Sequence, residues 1–258
     1  MAGPILVFDS GVGGLSVVAA LRERLPRAAL AYACDNAMLP YGRREDAWLV
    51  RRILAVCEAA VRTSGCVALV VACNTASTLA LDALRERLRV PVVGTVPAIK
   101  PAAALSRSGH IGLLATSATV ARPYTLRLIE AFAAHCTVRR VAADSLVREA
   151  ERQLAGEPPD VAVIEAALAP LWKDPALDTV VLGCTHFPLL RDALATAAPR
   201  EVAWVDSSDA IARRTAQVVA GVATSTGPGA SLATAPDAVL ARALARFGFA
   251  RPQPLSLD

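Results

Sequence analysis

The sequence predicts an α/β protein of two similar domains, each a parallel-type sheet flanked by helices, pseudo-twofold related about a shared active-site cleft. Three observations lead there. Short uncharged apolar runs alternate with longer stretches of helical periodicity, the order that strand–helix–strand units impose. The alternation restarts near the middle of the chain. In both halves the apolar runs end abruptly on residues capable of chemistry.

Ile5–Phe8, Leu30–Ala33, Val67–Ala72 and Pro91–Gly94 read as strands covered on both faces. Helices are expected between them at Leu15–Leu25, Arg44–Arg62 and Ala76–Leu88. The second half repeats the scheme. His110–Ala115 opens on Thr116-Ser-Ala-Thr119, as Ile5–Phe8 opens on Asp9-Ser-Gly-Val-Gly-Gly14. Val67–Ala72 opens on Cys73-Asn-Thr75, and Thr179–Gly183 opens on Cys184-Thr-His186. Asp9 and Cys73 stand 64 positions apart, and Thr116 and Cys184 stand 68 apart. One domain is therefore expected from residues 1–96 with 207–258, and the other from 97–206. Pro97 and Pro101 bracket the expected crossing, and a helix over Asp209–Val222 follows Asp206-Ser-Ser-Asp, with Ser208 or Asp209 as its N-cap. Ligands of open parallel sheets bind beyond the carboxyl ends of the strands. Asp9, Cys73, Thr116 and Cys184 all lie at such ends.

Composition narrows the classes. The 258 residues are 54% hydrophobic and 19% charged, which excludes intrinsic disorder. A net charge of +4, from 27 basic and 23 acidic residues, is too small and too dispersed to imply nucleic acid. The only lysines are Lys100 and Lys173, which argues against Schiff-base cofactor chemistry. Six cysteines without a CxxC pair suggest neither a disulfide framework nor zinc ligation. The N-terminus lacks the basic region of a signal peptide. The uncharged run Thr63–Leu81 contains Asn74, Thr75, Ser77 and Thr78, which lipid tolerates poorly, and Thr215–Pro236 reads as a loop. A cytoplasmic protein with reduced thiols, no membrane partner and no nucleic-acid partner is the expectation.

Cys34, Cys57, Cys66 and Cys136 lie in or beside apolar patterns and read as packing residues. Cys73 and Cys184 each end an apolar strand and precede polar residues and a helix, whose N-terminus favours a thiolate. Two opposed thiols suggest proton removal from one face of a carbon and delivery to the other. The turn Asp9–Gly14 fails the dinucleotide fingerprint, yet its small residues offer backbone N–H groups to a carboxylate or a phosphate. Asn74, Thr75 and Thr185 add neutral donors, which suits a small amino-acid or dicarboxylate ligand.

Five segments in order, Phe8-Asp-Ser-Gly-Val-Gly-Gly-Leu-Ser16, Pro40-Tyr-Gly42, Val71-Ala-Cys-Asn-Thr-Ala-Ser77, Leu114-Ala-Thr116 with Thr119-Val120, and Gly183-Cys-Thr-His-Phe-Pro-Leu189, resemble glutamate racemases. The resemblance spans about Ile5 to Arg214, and the tail from Ala223 carries no matching motif. It implies cofactor-independent interconversion of L- and D-glutamate for peptidoglycan, with no metal. By the same resemblance, Cys73 deprotonates D-glutamate and Cys184 deprotonates L-glutamate. Asp9 assists Cys73, while His186 and Glu151 belong with Cys184, although Glu149 stands close to Glu151. Substrate contacts are implied at Asp9, Ser10, Tyr41, Gly42, Asn74, Thr75, Thr116, Thr119, Thr185 and His186. A homodimer is compatible with the resemblance, but dimer geometry varies in the family and no motif sets it. Some relatives carry an N-terminal extension linked to activation by a cell-wall precursor, whereas the first motif here is reached at Phe8.

Aspartate racemase is the nearest competing activity, because one methylene separates the substrates. A non-catalytic ligand-binding or regulatory protein of this fold is the competitor from another class, and intact Cys-Asn-Thr and Cys-Thr-His strings speak against it. Other residues have plainer readings. Asp35 either lines the cleft or enters a turn, and His110 and His135 are isolated surface or core residues. Lys100 reads as a linker contact. The arginines of Arg22–Arg27 and Arg85–Arg89 read as solvated helix faces, and Trp48, Trp172 and Trp204 as packing.

Overall fold

Residues 2–257 are described by a computed structural model, and the chain divides into two compact units at Thr95/Val96 and Ser207/Ser208. The first unit contains β1 (Ile5–Asp9), α1 (Leu15–Arg24), β2 (Leu30–Cys34), α2 (Asp46–Ser64), β3 (Ala68–Val71), α3 (Asn74–Arg87) and β4 (Val92–Gly94). The second contains α4 (Ile99–Leu105), β5 (His110–Ala115), α5 (Ser117–Ala121), α6 (Pro123–Ala133), β6 (Thr137–Ala142), α7 (Ser145–Ala155), α8 (Val161–Leu168), β7 (Thr179–Leu182), α9 (Arg191–Ala197) and β8 (Ala203–Val205). The chain then returns to the first unit with α10 (Ser208–Val218), β9 (Ser231–Ala233), α11 (Ala238–Arg246) and β10 (Gln253–Pro254).

Both sheets are parallel throughout. The first has the order β10-β9-β2-β1-β3-β4 and the second β6-β5-β7-β8. The four core strands of the first unit thus share their order with the four of the second, β1 corresponding to β5 and β3 to β7. In each sheet the chain reverses direction of growth at that central pair, which is where open α/β sheets present their ligand crevice.

Burial follows from strand alternation. Leu6 and Phe8 of β1, with Leu69 and Val71 of β3, join Leu49, Ile53 and Val56 of α2 in one core cluster. Ile5 and Val7 point to the opposite face and are equally buried, so both faces of β1 are covered. Each such side chain contributes about 1.5–3 kcal/mol through burial. In the second unit, Ile111 and Leu113 of β5 pack with Ile99 and Ala102 of α4 and Val181 of β7. Helix α2 is delimited by its sequence: the Glu45 carboxylate accepts from the N–H groups of Ala47 and Trp48, and Gly65 ends the helix at φ 58°.

The structure corrects several expectations. Pro101 does not bracket a linker; it lies in the first turn of α4, where a missing N–H is harmless. The helix expected over Asp209–Val222 runs from Ser208 only to Val218, so Ser208 is its first residue rather than a cap outside it. Arg22 is not simply solvated: it donates to Phe247 O at 2.9 Å and stacks over Phe249. Lys100 lies over the ring of Phe132 within the second unit. His110 Nδ1 is 2.8 Å from Asp174 Oδ2, and Arg200 covers Trp172. No described helix is long and apolar enough to cross a membrane.

Candidate active site

Two thiols occupy the same place in the two sheets. Cys73 stands two residues beyond the end of β3, and Cys184 two residues beyond the end of β7. Both are nearly enclosed, at 6% and 9% exposure. Their surroundings differ, and each is described within its own unit.

Cys73 is the N-cap residue of α3, in extended conformation, so the helix begins directly behind its thiol. The strand end in front of it is locked by two hydroxyls: Ser77 Oγ and Thr95 Oγ1 each donate to Val71 O at 2.9 Å. Thr95 N in turn donates to Ser77 Oγ at 2.9 Å. Ser10 Oγ lies 3.7 Å from Cys73 Sγ and 3.4 Å from Asp9 Oδ1, so the hydroxyl stands between carboxylate and thiol. Asp9 is fully buried, and its Oδ1 accepts the Gly11 N–H at 2.9 Å. That amide of the glycine-rich turn is consequently committed to Asp9. Tyr32 Oη donates to Gly11 O at 2.7 Å and fixes the turn from below. Gly14 is required by contact: a Cβ there would come 3.0 Å from Asp9 Cβ, 3.0 Å from Tyr32 Oη and 3.2 Å from Ala72 Cβ.

Asn74 and Thr75 form the first turn of α3 and are buried. Asn74 Oδ1 is enclosed without a hydrogen-bond partner among the described residues. An orphaned buried acceptor costs about 1–3 kcal/mol, a cost removed when a ligand N–H fills it. Tyr41 and Gly42 lie in a short 3₁₀ turn, Tyr41–Arg43, that follows the cis Leu39–Pro40 bond. Tyr41 is buried with its hydroxyl donated to Asp35 Oδ2 at 2.9 Å. Burial first, then the charge of Asp35, raise the phenol well above its ordinary pKa and keep it a neutral donor.

The second unit does not repeat the helix at its thiol. Cys184 is followed by a turn and a 3₁₀ segment, Phe187–Leu190, and α9 begins only at Arg191. The expected helix N-terminus behind Cys184 is absent, its place taken by that short segment. An imidazole takes its place. His186 Nδ1 is 3.8 Å from Cys184 Sγ, and His186 Nε2 is 2.7 Å from Glu151 Oε1. His186 is 2% exposed. Burial opposes its charge, but the hydrogen bonds to Cys184 and Glu151 more than offset this and raise it well above the ordinary histidine value. Charged, the ring donates from both nitrogens, one to the sulfur and one to the carboxylate.

Helix α7 carries both acids near His186, and geometry separates them. Glu151 reaches the imidazole, while Glu149 Oε2 accepts from Asp160 N at 2.8 Å and Arg152 Nη1 at 3.3 Å. Gln153 Nε2 donates to Leu189 O at 2.8 Å and ties α7 to the segment after His186. Sequence inspection missed that tie, since the two residues are 36 positions apart. Thr116 caps α5 just beyond β5, and its Oγ1 is 3.1 Å from Thr119 Oγ1. Asp144 accepts from Ser117 N and Oγ and holds that corner. Thr185 is buried beside Cys184. Gly183 permits the close approach of β7 and β5, since a Cβ would stand 3.0 Å from Ala115 Cβ.

Cys34, Cys57 and Cys66 are buried and Cys136 partly so; burial pushes the Cys57 thiol well up. No group of three or more metal-ligating side chains is assembled among the described residues. Each thiol therefore sits in a polar relay, Asp9–Ser10–Cys73 in one unit and Glu151–His186–Cys184 in the other, which can hold and move a proton.

Comparison with known proteins gives a consistent result. The Asp/Glu/Hydantoin racemase family matches residues 15–215. A glutamate racemase of Shewanella loihica is 52% identical over 214 residues, 83% of this chain and 80% of that protein. A glutamate racemase of Sodalis glossinidius is 46% identical over 264 aligned positions, 98% of this chain and 91% of that protein. The crystal structure of Escherichia coli glutamate racemase with L-glutamate and the activator UDP-MurNAc-Ala superposes with a TM-score of 0.94. It is 43% identical, with 99% of each chain covered.

Proposed function

Since the chain belongs to the Asp/Glu/Hydantoin racemase family, we propose that it interconverts L- and D-glutamate with its two thiols as paired acid and base. In a cell this supplies D-glutamate for peptidoglycan, and the enzyme works in the cytoplasm. The observation that carries the reading is the pair of buried cysteines at equivalent strand ends, each backed by its own acid-bearing relay.

In one direction the Cys73 thiolate takes the α-proton of D-glutamate. The electron pair stays on the α-carbon, and the Cys184 thiol delivers a proton to the opposite face. L-Glutamate leaves with the two thiols in exchanged protonation states, and the reverse reaction restores them. No bond other than C–H and S–H changes, so no redox partner is needed. On the Cys184 side, His186 stabilises the thiolate by donating to sulfur, and Glu151 keeps the ring charged. On the Cys73 side, the α3 N-terminus favours the thiolate, while the Ser10 hydroxyl, donating to Asp9, accepts from Cys73 when that thiol is the acid. Positioned acid–base groups supply about 10²–10⁴-fold each, and fixed dipoles near the developing carbanion supply the rest. The orphaned Asn74 Oδ1 suits the α-ammonium of the substrate. Buried Thr75, Thr119 and Thr185, with Thr116, offer hydroxyls to its carboxylates. Names and identities of the relatives favour glutamate over aspartate.

The test uses the protein without added cofactor, incubated with L-glutamate in D₂O. Optical rotation should fall to zero while the α-proton signal disappears. Retention of both signals, with the same result for L-aspartate, would reject an amino-acid racemase.

A further inference from the structure

Asp35 directly follows β2 and is completely buried, yet it belongs to neither relay. Its carboxylate receives four hydrogen bonds. Arg52 donates Nε to Oδ2 at 2.9 Å and Nη2 to Oδ1 at 2.7 Å, Tyr41 Oη donates to Oδ2 at 2.9 Å, and Thr234 Oγ1 donates to Oδ1 at 2.8 Å. The donors come from three separate pieces of chain: α2, the 3₁₀ turn of Tyr41 and Gly42, and the segment after β9.

That last segment is clamped in place. Thr234 N donates to Cys34 O at 3.1 Å, and Thr234 Oγ1 accepts from Ala37 N at 3.2 Å. Asn36 and Ala235 pair reciprocally, Nδ2 to O at 2.6 Å and N to Oδ1 at 3.0 Å. Tyr41, held by this assembly, packs in the same core cluster as Cys73. A buried ion pair is weak as a source of net stability, but a bidentate one fixes its partners in space. What it fixes here is the turn beside the thiol.

We propose that Asp35, Arg52 and Thr234 are positioning residues that hold the Tyr41–Gly42 turn against Cys73. The C-terminal segment, which lies beyond the residues 15–215 that the family matches, thereby becomes part of the Cys73 half of the reaction. The inference rests on the racemase reading and adds a function for residues that reading does not use. Its consequence is directional. A loosened turn slows proton transfer at Cys73 and leaves transfer at Cys184 alone. Enantiomers have equal free energy in water, so kcat/KM must fall equally in both directions, and the asymmetry emerges in primary isotope effects. With α-deuterated D-glutamate, Cys73 breaks the C–D bond, and its isotope effect rises when that step becomes limiting. With α-deuterated L-glutamate, Cys184 breaks the bond, and its isotope effect falls.

The experiment compares Thr234→Val, Thr234→Ser and Arg52→Lys with the wild type. Thr234→Val keeps the shape and removes the donor, and Arg52→Lys keeps the charge and removes the bidentate fork. Each should lower kcat/KM about tenfold, as the loss of one hydrogen bond to a buried charge implies. Each should also raise the isotope effect from D-glutamate and lower that from L-glutamate, while Thr234→Ser restores wild-type values. If Arg52→Lys fails to fold, Thr234→Val still decides the matter. Unchanged kinetics, or a fall in kcat/KM with both isotope effects unchanged, would overturn the positioning role and leave the racemase reading intact. An inactive wild type would overturn both.

Discussion

Replacing Glu151 by Gln removes a charge from the Cys184 relay while keeping size and hydrogen-bonding capacity. Glu151 Oε1 is 2.7 Å from His186 Nε2, and its side chain is 29% exposed, so solvent screens it only in part. A hydrogen bond to an ionised partner contributes about 1.5–3 kcal/mol and a neutral one about 0.5–1.5 kcal/mol. The difference, near the lower end because of the exposure, is about 1–1.5 kcal/mol, or roughly five- to tenfold in rate. We expect kcat/KM to fall by that factor in both directions. The isotope effect should rise with α-deuterated L-glutamate, the mirror image of the Thr234→Val result. The exchange also alters stability against pH. Burial lowers the His186 pKa, but Cys184 and Glu151 lift it above its unfolded value. The stabilisation from its charge is complete below about pH 6.5 and is lost as pH rises through the folded pKa. Urea unfolding of the wild type should therefore show declining stability on the alkaline side. In Glu151→Gln the decline should begin at the same pH, end at lower pH and be smaller. Equal kcat/KM in wild type and variant, together with superimposable stability profiles, would refute the charged His186–Glu151 relay.

Three further outcomes test the scaffold. Gly14→Ala should destabilise by about 1–3 kcal/mol in urea unfolding and reduce activity, because the added methyl meets Asp9, Tyr32 and Ala72 at 3.0–3.2 Å. Asp178→Asn should cost about 1–3 kcal/mol and flatten the acid limb of stability. Burial pushes the Asp178 carboxyl up, but bonds from Ser106, Ser108, Thr179 and Arg107 hold it well below the usual range. Its contribution is therefore present above about pH 4 and lost as pH falls, which acid titration of the fluorescence would follow. Cys57→Ala should retain turnover per folded molecule, and Cys57 itself should resist iodoacetamide in the native protein, since it is enclosed in the core.

How far the sequence could be read depended on whether the signal was local. β1, β3, β5 and β7 are built on apolar runs and were visible as such, and so were the residues at their ends, from Asp9 to His186. β6 was not, because this edge strand carries Arg139 and Arg140 and exposes most of its length. β9 and β10 are three and two residues long and follow a stretch rich in Gly, Ser, Thr and Pro. They form as an extension of a sheet already present, β9 pairing with β2 and β10 with β9, so local propensity says little about them. The Asp35 assembly was hidden for a related reason. Asp35 could be singled out at its strand end, but its partners Arg52 and Thr234 lie 17 and 199 positions away. The choice between Glu149 and Glu151 turned on which face of α7 meets His186, a matter of tertiary packing. A helix was expected behind Cys184 as behind Cys73, but the likeness of the two strand ends is local, and Cys184 runs into a turn and the 3₁₀ segment Phe187–Leu190 instead.

The central claim is that both thiols are needed and that neither can do the other's work. Cys73→Ala and Cys184→Ala, each made separately and assayed by polarimetry from both enantiomers of glutamate, test it most directly. The account predicts that racemisation is lost in each variant, from either enantiomer. A single variant that retains full racemisation would contradict it.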